Sequence, residues 1–307
     1  MRNRGFFLII LIACGSRTAL LIDQPPPFDA STEGGRDASR DAFPEAEPDV
    51  VFPDVVPPID VVTQDVVTPN DCADAAVTLV YLFSESGNLL SFNPSNLAFK
   101  TIGKVNCPTM ATPNSMAVDH TGVAYANLVG NTGEIWKINT GSAACTSTSF
   151  KPQSGFIRFG MGFTGDLDGG ESLYISDTQT NPSGALGQVD VMNFNVSVVG
   201  AYQPALPRCE LTGTGDGKLY AFCVESVGSK LALVDQKTAK VIGSDDLKVG
   251  GQVAFAFAFW GGDFWMFTGS NGSTLTKYDP ITKVESTVMT ITDTIVGAGV
   301  STCAPVK

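Results

Sequence analysis

Histidine occurs once in the 307 residues, as His120. That scarcity removes most acid–base and nucleophilic chemistry, because a Ser-His-Asp or Cys-His arrangement would have to use this one side chain, and it falls in a turn. No GxSxG, HExxH or P-loop string is present. Cysteines at CxxC spacing are absent, so a thiolate metal site is not expected. No apolar run reaches the ~18–20 residues of a membrane-spanning helix. Basic residues never cluster with aromatics, which excludes nucleic acid as an expected partner.

At the N-terminus, Arg2 and Arg4 precede a short apolar core, residues 6–12, that ends Leu11-Ile12-Ala13-Cys14-Gly15. A positive flank and a short apolar stretch form the pattern of a signal peptide. The string LIACG resembles the bacterial lipobox, whose cysteine takes a diacylglyceryl thioether and becomes the first residue after cleavage. The resemblance implies a signal peptide over 1–13, lipidation with palmitate-type chains at Cys14, and export. Gly15 and Ser16 stand where an Asp would favour the inner membrane, so anchoring in the outer membrane is expected. Acyl chains contribute roughly 0.8 kcal/mol per buried CH₂, and two or three of them hold a protein stably at a bilayer.

Residues 14–71 contain 12 Asp or Glu against 3 Arg, and 9 of the 18 prolines. Strings such as EPDVVFPDVVPPIDVV deny a helix its donors and offer little to pack. A disordered stalk is expected, with a span on the order of 40 Å that proline and self-repulsion lengthen. With +2 in the signal and −9 in the stalk, the formal −12 leaves −5 for residues 72–307.

Those 236 residues can bury a full core. Residues 253–289 show the unit: two apolar runs around Gly261-Gly262-Asp263, a polar loop, LTKYD, a turn at Asp279-Pro280, and VESTVM. That reads as four antiparallel strands. The third-strand pattern, Leu or Ile, two variable residues, an apolar residue, then Asp or Asn, recurs at 89–93, 135–139, 186–190, 231–235 and 275–279. A period of ~40–45 residues with four strands predicts an all-β, five-bladed β-propeller. Inner strands are expected at 115–119, 158–163, 210–214 and 253–260, rich in small residues for a crowded axis. The first unit has no inner strand before residue 77. Residues 295–303 are expected to supply it, so that the C-terminal strand completes the first blade and removes an exposed edge.

The strings SMAVD, FGMGF, ELTGTGDG, AFAFWGGDF and VGAGVSTCAP resemble a family of lipid-anchored and secreted propeller proteins of myxobacteria, which has no assigned activity. The turns in YDPIT and VDQKT look like those of NHL and PQQ-type propellers.

Of seven cysteines, Cys14 is the expected lipid site and six fall in the body. An even number in an exported body predicts disulfides. Cys209 and Cys223 flank one hairpin turn, and Cys72 and Cys303 meet at the seam. Cys107 and Cys145 remain as the third expected pair, although a regular propeller would put them on opposite faces. The residues expected at the tops of the inner strands are Asn114, Arg158, Arg208, Glu210, Gln252 and Asp293. Two of the six are acidic. The string DLDGGE offers Asp166, Asp168 and Glu171 as oxygen ligands for Ca²⁺, without EF-hand spacing. Two functions follow from this inventory. One is a non-enzymatic binding or scaffolding module at the envelope, its ligand unspecified by the sequence, with another protein or a cell-envelope glycan as the expected partner. The other is a calcium-dependent hydrolase or lactonase with its site at one mouth of the central tunnel.

Overall fold

A computed structural model describes Cys72 and residues 78–152, 155–166, 169–179, 184–250 and 253–307. The expected signal peptide, Cys14 and the expected stalk lie outside the described residues. All of the described residues fall in one compact unit. It is all-β, with five four-stranded antiparallel sheets arranged as a five-bladed propeller.

Blade 1 contains β1 (Val80–Ser84), β2 (Asn88–Asn93) and β3 (Ala98–Lys104). Blade 2 follows with β4 (Thr112–Val118), β5 (Val123–Val129), β6 (Gly133–Asn139) and β7 (Cys145–Ser147). Blade 3 has β8 (Phe159–Gly165), β9 (Glu171–Asp177), β10 (Leu186–Val189) and β11 (Val196–Gly200). Blade 4 has β12 (Arg208–Gly213), β13 (Leu219–Val224), β14 (Ser229–Val234) and β15 (Val241–Leu247). Blade 5 has β16 (Ala254–Trp260), β17 (Asp263–Gly269), β18 (Ser273–Asp279) and β19 (Val284–Ile291). The last strand, β20 (Ile295–Val300), returns to pair with β1, so blade 1 has the order β20-β1-β2-β3. Val80 faces Val300 and Leu82 faces Ala298 across that pair. Cys72 is disulfide-bonded to Cys303 just beyond it.

The recurring Asp or Asn that marks the repeat has a local cause. Asn93, Asn139, Asp190, Asp235 and Asp279 each end or directly follow a third strand and accept backbone N–H groups of the following turn on Oδ1. The residue four positions on, Leu97, Ala143, Phe194, Ala239 or Lys283, takes a φ of 58–61° in every blade. Five non-glycine residues in the left-handed region are held there by the Asx turn, and in four blades the residue's own N–H donates back to the Asx carbonyl. Ala143 rests against Gly103 of the preceding blade, and Ala239 against Gly200.

Inner strands meet around the axis in the order β20, β4, β8, β12, β16. Glycine permits their approach. A Cβ on Gly162 would stand 2.9 Å from the backbone of Leu211 and Thr212 in β12, and one on Gly297 would stand 2.8 Å from Met116 N in β4. The core lies between blades: Phe92 of blade 1 packs edge-on against Trp265 and Phe267 of blade 5, with ring centroids 5.4 and 5.9 Å apart. Burial of such rings is worth roughly 1.5–3 kcal/mol each, and it ties neighbouring blades together.

Cys107 and Cys145 do not lie on opposite faces. They are bonded, with Cα atoms 5.2 Å apart. The expectation treated each blade as flat. Successive strands rotate by about 20–25°, so over three steps the outermost strand turns well away from the axis. The chain leaving β3 therefore reaches the start of β7 in the next blade, where Val105, Ala143, Cys107 and Cys145 share one apolar cluster. Cys209 faces Cys223 directly in the β12–β13 register, and the two are bonded.

Candidate functional site

All inner strands run the same way, so their first residues gather at one mouth of the central channel. A cavity of about 250 Å³ opens there, lined by Asn114, Arg158, Arg208, Glu210, Glu85 and Phe255, with Thr178, Val253 and Val296 beside them. Asn114 lies in β4, Arg158 immediately precedes β8, Arg208 opens β12, and Phe255 lies in β16.

Arg158 is held at both ends. Its carbonyl accepts from Thr178 N and Thr178 Oγ1, each at 3.0 Å. Its Nη1 donates to Asn114 Oδ1 at 2.6 Å. Asn114 is fixed in turn, because its Nδ2 donates to Asn127 Oδ1 at 2.9 Å and to the Phe159 carbonyl at 3.0 Å. The Arg208 guanidinium lies over the Phe255 ring, 5.5 Å from its centroid. That is a cation–π placement, with the charge left at the cavity. Neither arginine forms an ion pair among the described residues.

Glu210 sits behind them, 5 % exposed. Its Oε2 accepts from Ser115 Oγ at 2.6 Å, and Ser115 Oγ accepts from Met161 N at 3.1 Å. Burial pushes the Glu210 carboxyl well above the usual carboxylate range, against the lowering effects of Ser115, the Met161 N–H and the Arg158 charge.

The opposite mouth is closed. Residues 301–307 run from β20 across the first hairpin turns of the other four blades. Thr302 Oγ1 donates to Glu171 Oε2 at 2.9 Å, and Glu171 also accepts from His120 N and pairs with His120 Nδ1 at 2.7 Å. The Thr302 carbonyl lies against Gly215, Gly261 N donates to the Pro305 carbonyl at 2.7 Å, and Val306 reaches Gly262. Ser301 is buried.

Four of the six residues expected at the strand tops, Asn114, Arg158, Arg208 and Glu210, thus meet in one cavity. Gln252 lies outside the described residues. Asp293 is placed elsewhere: it precedes β20 and accepts from Asn88 Nδ2 of β2 at 3.4 Å. Of the DLDGGE string, two of the three carboxylates lie among the described residues. Glu171 is engaged with His120 and Thr302, Asp166 Oδ2 accepts from Ser172 Oγ, and Asp168 lies outside the described residues. Among the described residues no group of three or more His, Cys, Asp or Glu is arranged to hold a metal ion. Sequence reasoning missed Glu85, Thr178 and Phe255. Glu85 and Thr178 belong to second-to-third-strand loops. Phe255 stands in the alternating run AFAFAF, which does not reveal which face meets the channel.

A larger groove, about 620 Å³, runs between blades 4 and 5. Its carboxylate, Glu285, accepts from Lys248 N and Val249 N at 2.8 and 3.0 Å, so it fastens the two blades together.

No protein-family model matches the chain, and no curated protein matches it. Among solved structures, it is similar to an auxiliary nutrient binding protein from Bacteroides thetaiotaomicron, at 12 % identity and a TM-score of 0.42, over 68 % of this chain and 54 % of that one. It is also similar to a protein of unknown function from Bacteroides caccae, at 12 % identity and a TM-score of 0.43, over 71 % and 84 % of the two chains. The chain thus spans about half the length of the first of these structures.

Proposed function

We propose that this protein is an exported, lipid-anchored propeller that works as a binding module, with its ligand site at the open mouth of the channel. One observation carries the reading: residues 301–307 stopper one mouth, while the other keeps a cavity with two arginines that no described carboxylate neutralises. Three disulfides use all six body cysteines, which suits an oxidising compartment outside the cytoplasm. Cys14 is left over for the lipid, and outer-membrane anchoring follows from LIACG and Gly15-Ser16 as a proposal on the same footing. A cavity of about 250 Å³ favours a small ligand over a protein or glycan surface. The calcium-hydrolase alternative does not fit this donor set, because the mouth has two guanidinium groups and Glu210 commits Oε2 to Ser115.

Two experiments test the two halves. Replacing Cys14 with Ser should shift the protein from the detergent-rich to the aqueous phase; equal partitioning of variant and wild type removes the anchor. A thermal-shift screen with small anionic, neutral and cationic fragments should give stabilising compounds that perturb the signals of Val253, Phe255 and Val296. A screen in which no fragment reaches the mouth removes the binding site.

A further inference from the structure

We infer that the open mouth takes a small organic anion, with its carboxylate or phosphate on Arg158 and Arg208 and its apolar body against Phe255. This rests on the mouth being a ligand site, and it names the ligand chemistry.

Arginine usage is the first argument. After residue 40 the chain has two arginines, Arg158 and Arg208, 50 positions apart and in different blades, and both line the same cavity. Every other basic side chain of the body, apart from His120, is a lysine. Lys218, Lys230, Lys277 and Lys283 pair with aspartates, and none of the four lines this cavity. A planar guanidinium presents several N–H donors in a fork that matches a carboxylate or phosphate, whereas lysine offers a hydrated point charge.

Availability is the second. Arg158 is anchored to a neutral amide and leaves its remaining N–H groups unassigned. The Arg208 guanidinium has no hydrogen-bond acceptor among the described residues and rests on Phe255. Packing thus orients both forks before a ligand arrives, which lowers the ordering cost of binding.

The carboxyls of the cavity do not cancel this charge. Glu210 is buried behind Ser115, and burial favours its neutral form. Glu85 is exposed at the rim and forms no ion pair among the described residues. The apolar wall is equally specific. Val253, 77 % exposed, forms a lip beside Phe255, Ala254 and Val296. A bare inorganic ion has no use for that wall. At about 250 Å³ the cavity is smaller than the ~300–1,000 Å³ of drug-sized sites, which points to a ligand with a single ring or a short chain.

Calorimetry on the full chain in detergent, at fixed ionic strength, tests this with benzoate, phenyl phosphate, benzyl alcohol and benzylammonium. Benzoate or phenyl phosphate is expected to bind, with the alcohol and the cation weaker by about tenfold or more. Tighter benzoate identifies a carboxylate as the natural group, and tighter phenyl phosphate identifies a phosphate ester. Arg208→Gln and Arg158→Gln should each lose about tenfold for the anions alone, with Arg208→Lys partly restoring them, while Phe255→Ala weakens all probes alike. Arg208→Gln decides the matter if Arg158→Gln fails to fold, because no described hydrogen bond depends on Arg208. Anions that bind no better than benzyl alcohol, or that bind Arg208→Gln as they bind wild type, overturn the inference. In that case neutral or cationic probes that still respond to Phe255→Ala leave the mouth as a binding site with the wrong ligand assigned. Loss of all probe binding removes both.

Discussion

Arg158 Nη1 lies 2.6 Å from Asn114 Oδ1, so the fixed partner of this guanidinium is a neutral amide. A carboxylate at the same position would hold the side chain equally well and quench its charge. Asn114→Asp makes that change with one atom. Benzoate affinity should fall by about tenfold, since an added ion pair competes with the ligand. Stability should also fall, by about 1–3 kcal/mol, because the variant loses the Nδ2 hydrogen bonds to Asn127 Oδ1 and the Phe159 carbonyl and sets a carboxylate oxygen against both acceptors. Titration and melting of the same variant read the two effects separately. Unchanged affinity would show that the charge of Arg158 is not used.

Glu210 makes stability depend on pH. Its folded carboxyl is held above the unfolded value, chiefly by burial. Between the two values the folded state binds the extra proton, so stability is greatest below the unfolded pKa and falls as pH rises through the folded one. The slope is at most about 1.4 kcal/mol per pH unit for one group. Glu210→Gln keeps an acceptor for Ser115 Oγ and removes the titration. Melting temperatures from about pH 5 to 8 should fall for wild type relative to the variant. Parallel curves would mean that Glu210 is ionised in the folded protein.

Much of this architecture is legible in the sequence because the repeat marks a physical need. Asn93 and its four counterparts recur since each third strand must end in an Asx turn. Arg158, Arg208 and Glu210 could be grouped because residues at the starts of parallel inner strands share a mouth. What strand patterns do not encode is rotation out of the sheet plane, so Cys107 and Cys145 could be paired only by elimination, against the positions that a flat blade implies. They also do not encode where a loop side chain points, and Asp293 turned to Asn88. Nor do the residue types of Phe194 and Lys283 announce a positive φ, which the preceding Asx turn imposes.

The small residues of the inner strands are required by the neighbouring backbone. Gly162→Ala would put a Cβ 2.9 Å from Leu211 C and Thr212 Cα, atoms that cannot swing aside. A loss of about 1–3 kcal/mol is expected in denaturant unfolding. Gly243→Ala on outer strand β15 meets nothing within 4 Å and should be neutral or slightly stabilising. Equal effects at the two positions would mean that the inner strands can spread.

Ring closure rests on β20. Deleting residues 295–307 removes the partner of β1 and the stopper together, and should produce aggregation through the exposed edge. The Cys72–Cys303 bond closes a loop with a sequence separation of 231, worth about 5 kcal/mol in the chain-entropy estimate. Cys303→Ser should therefore lower the melting temperature while the fold stays monomeric. Peptide mapping without reductant should recover Cys72 with Cys303 from the wild type. A truncated chain that remains monomeric and melts like the full one would contradict this closure.

The most direct test of an anion-binding mouth uses the arginines themselves. Phenylglyoxal modifies accessible guanidinium groups, and mass spectrometry of the digested protein follows each arginine separately. Arg17, Arg36 and Arg40 serve as internal references in the same chain. Saturating benzoate or phenyl phosphate should slow modification at Arg158 and Arg208 together and leave the other three unchanged, while benzyl alcohol protects neither. Modification of Arg158 and Arg208 at the same rate with and without either anion would contradict the account.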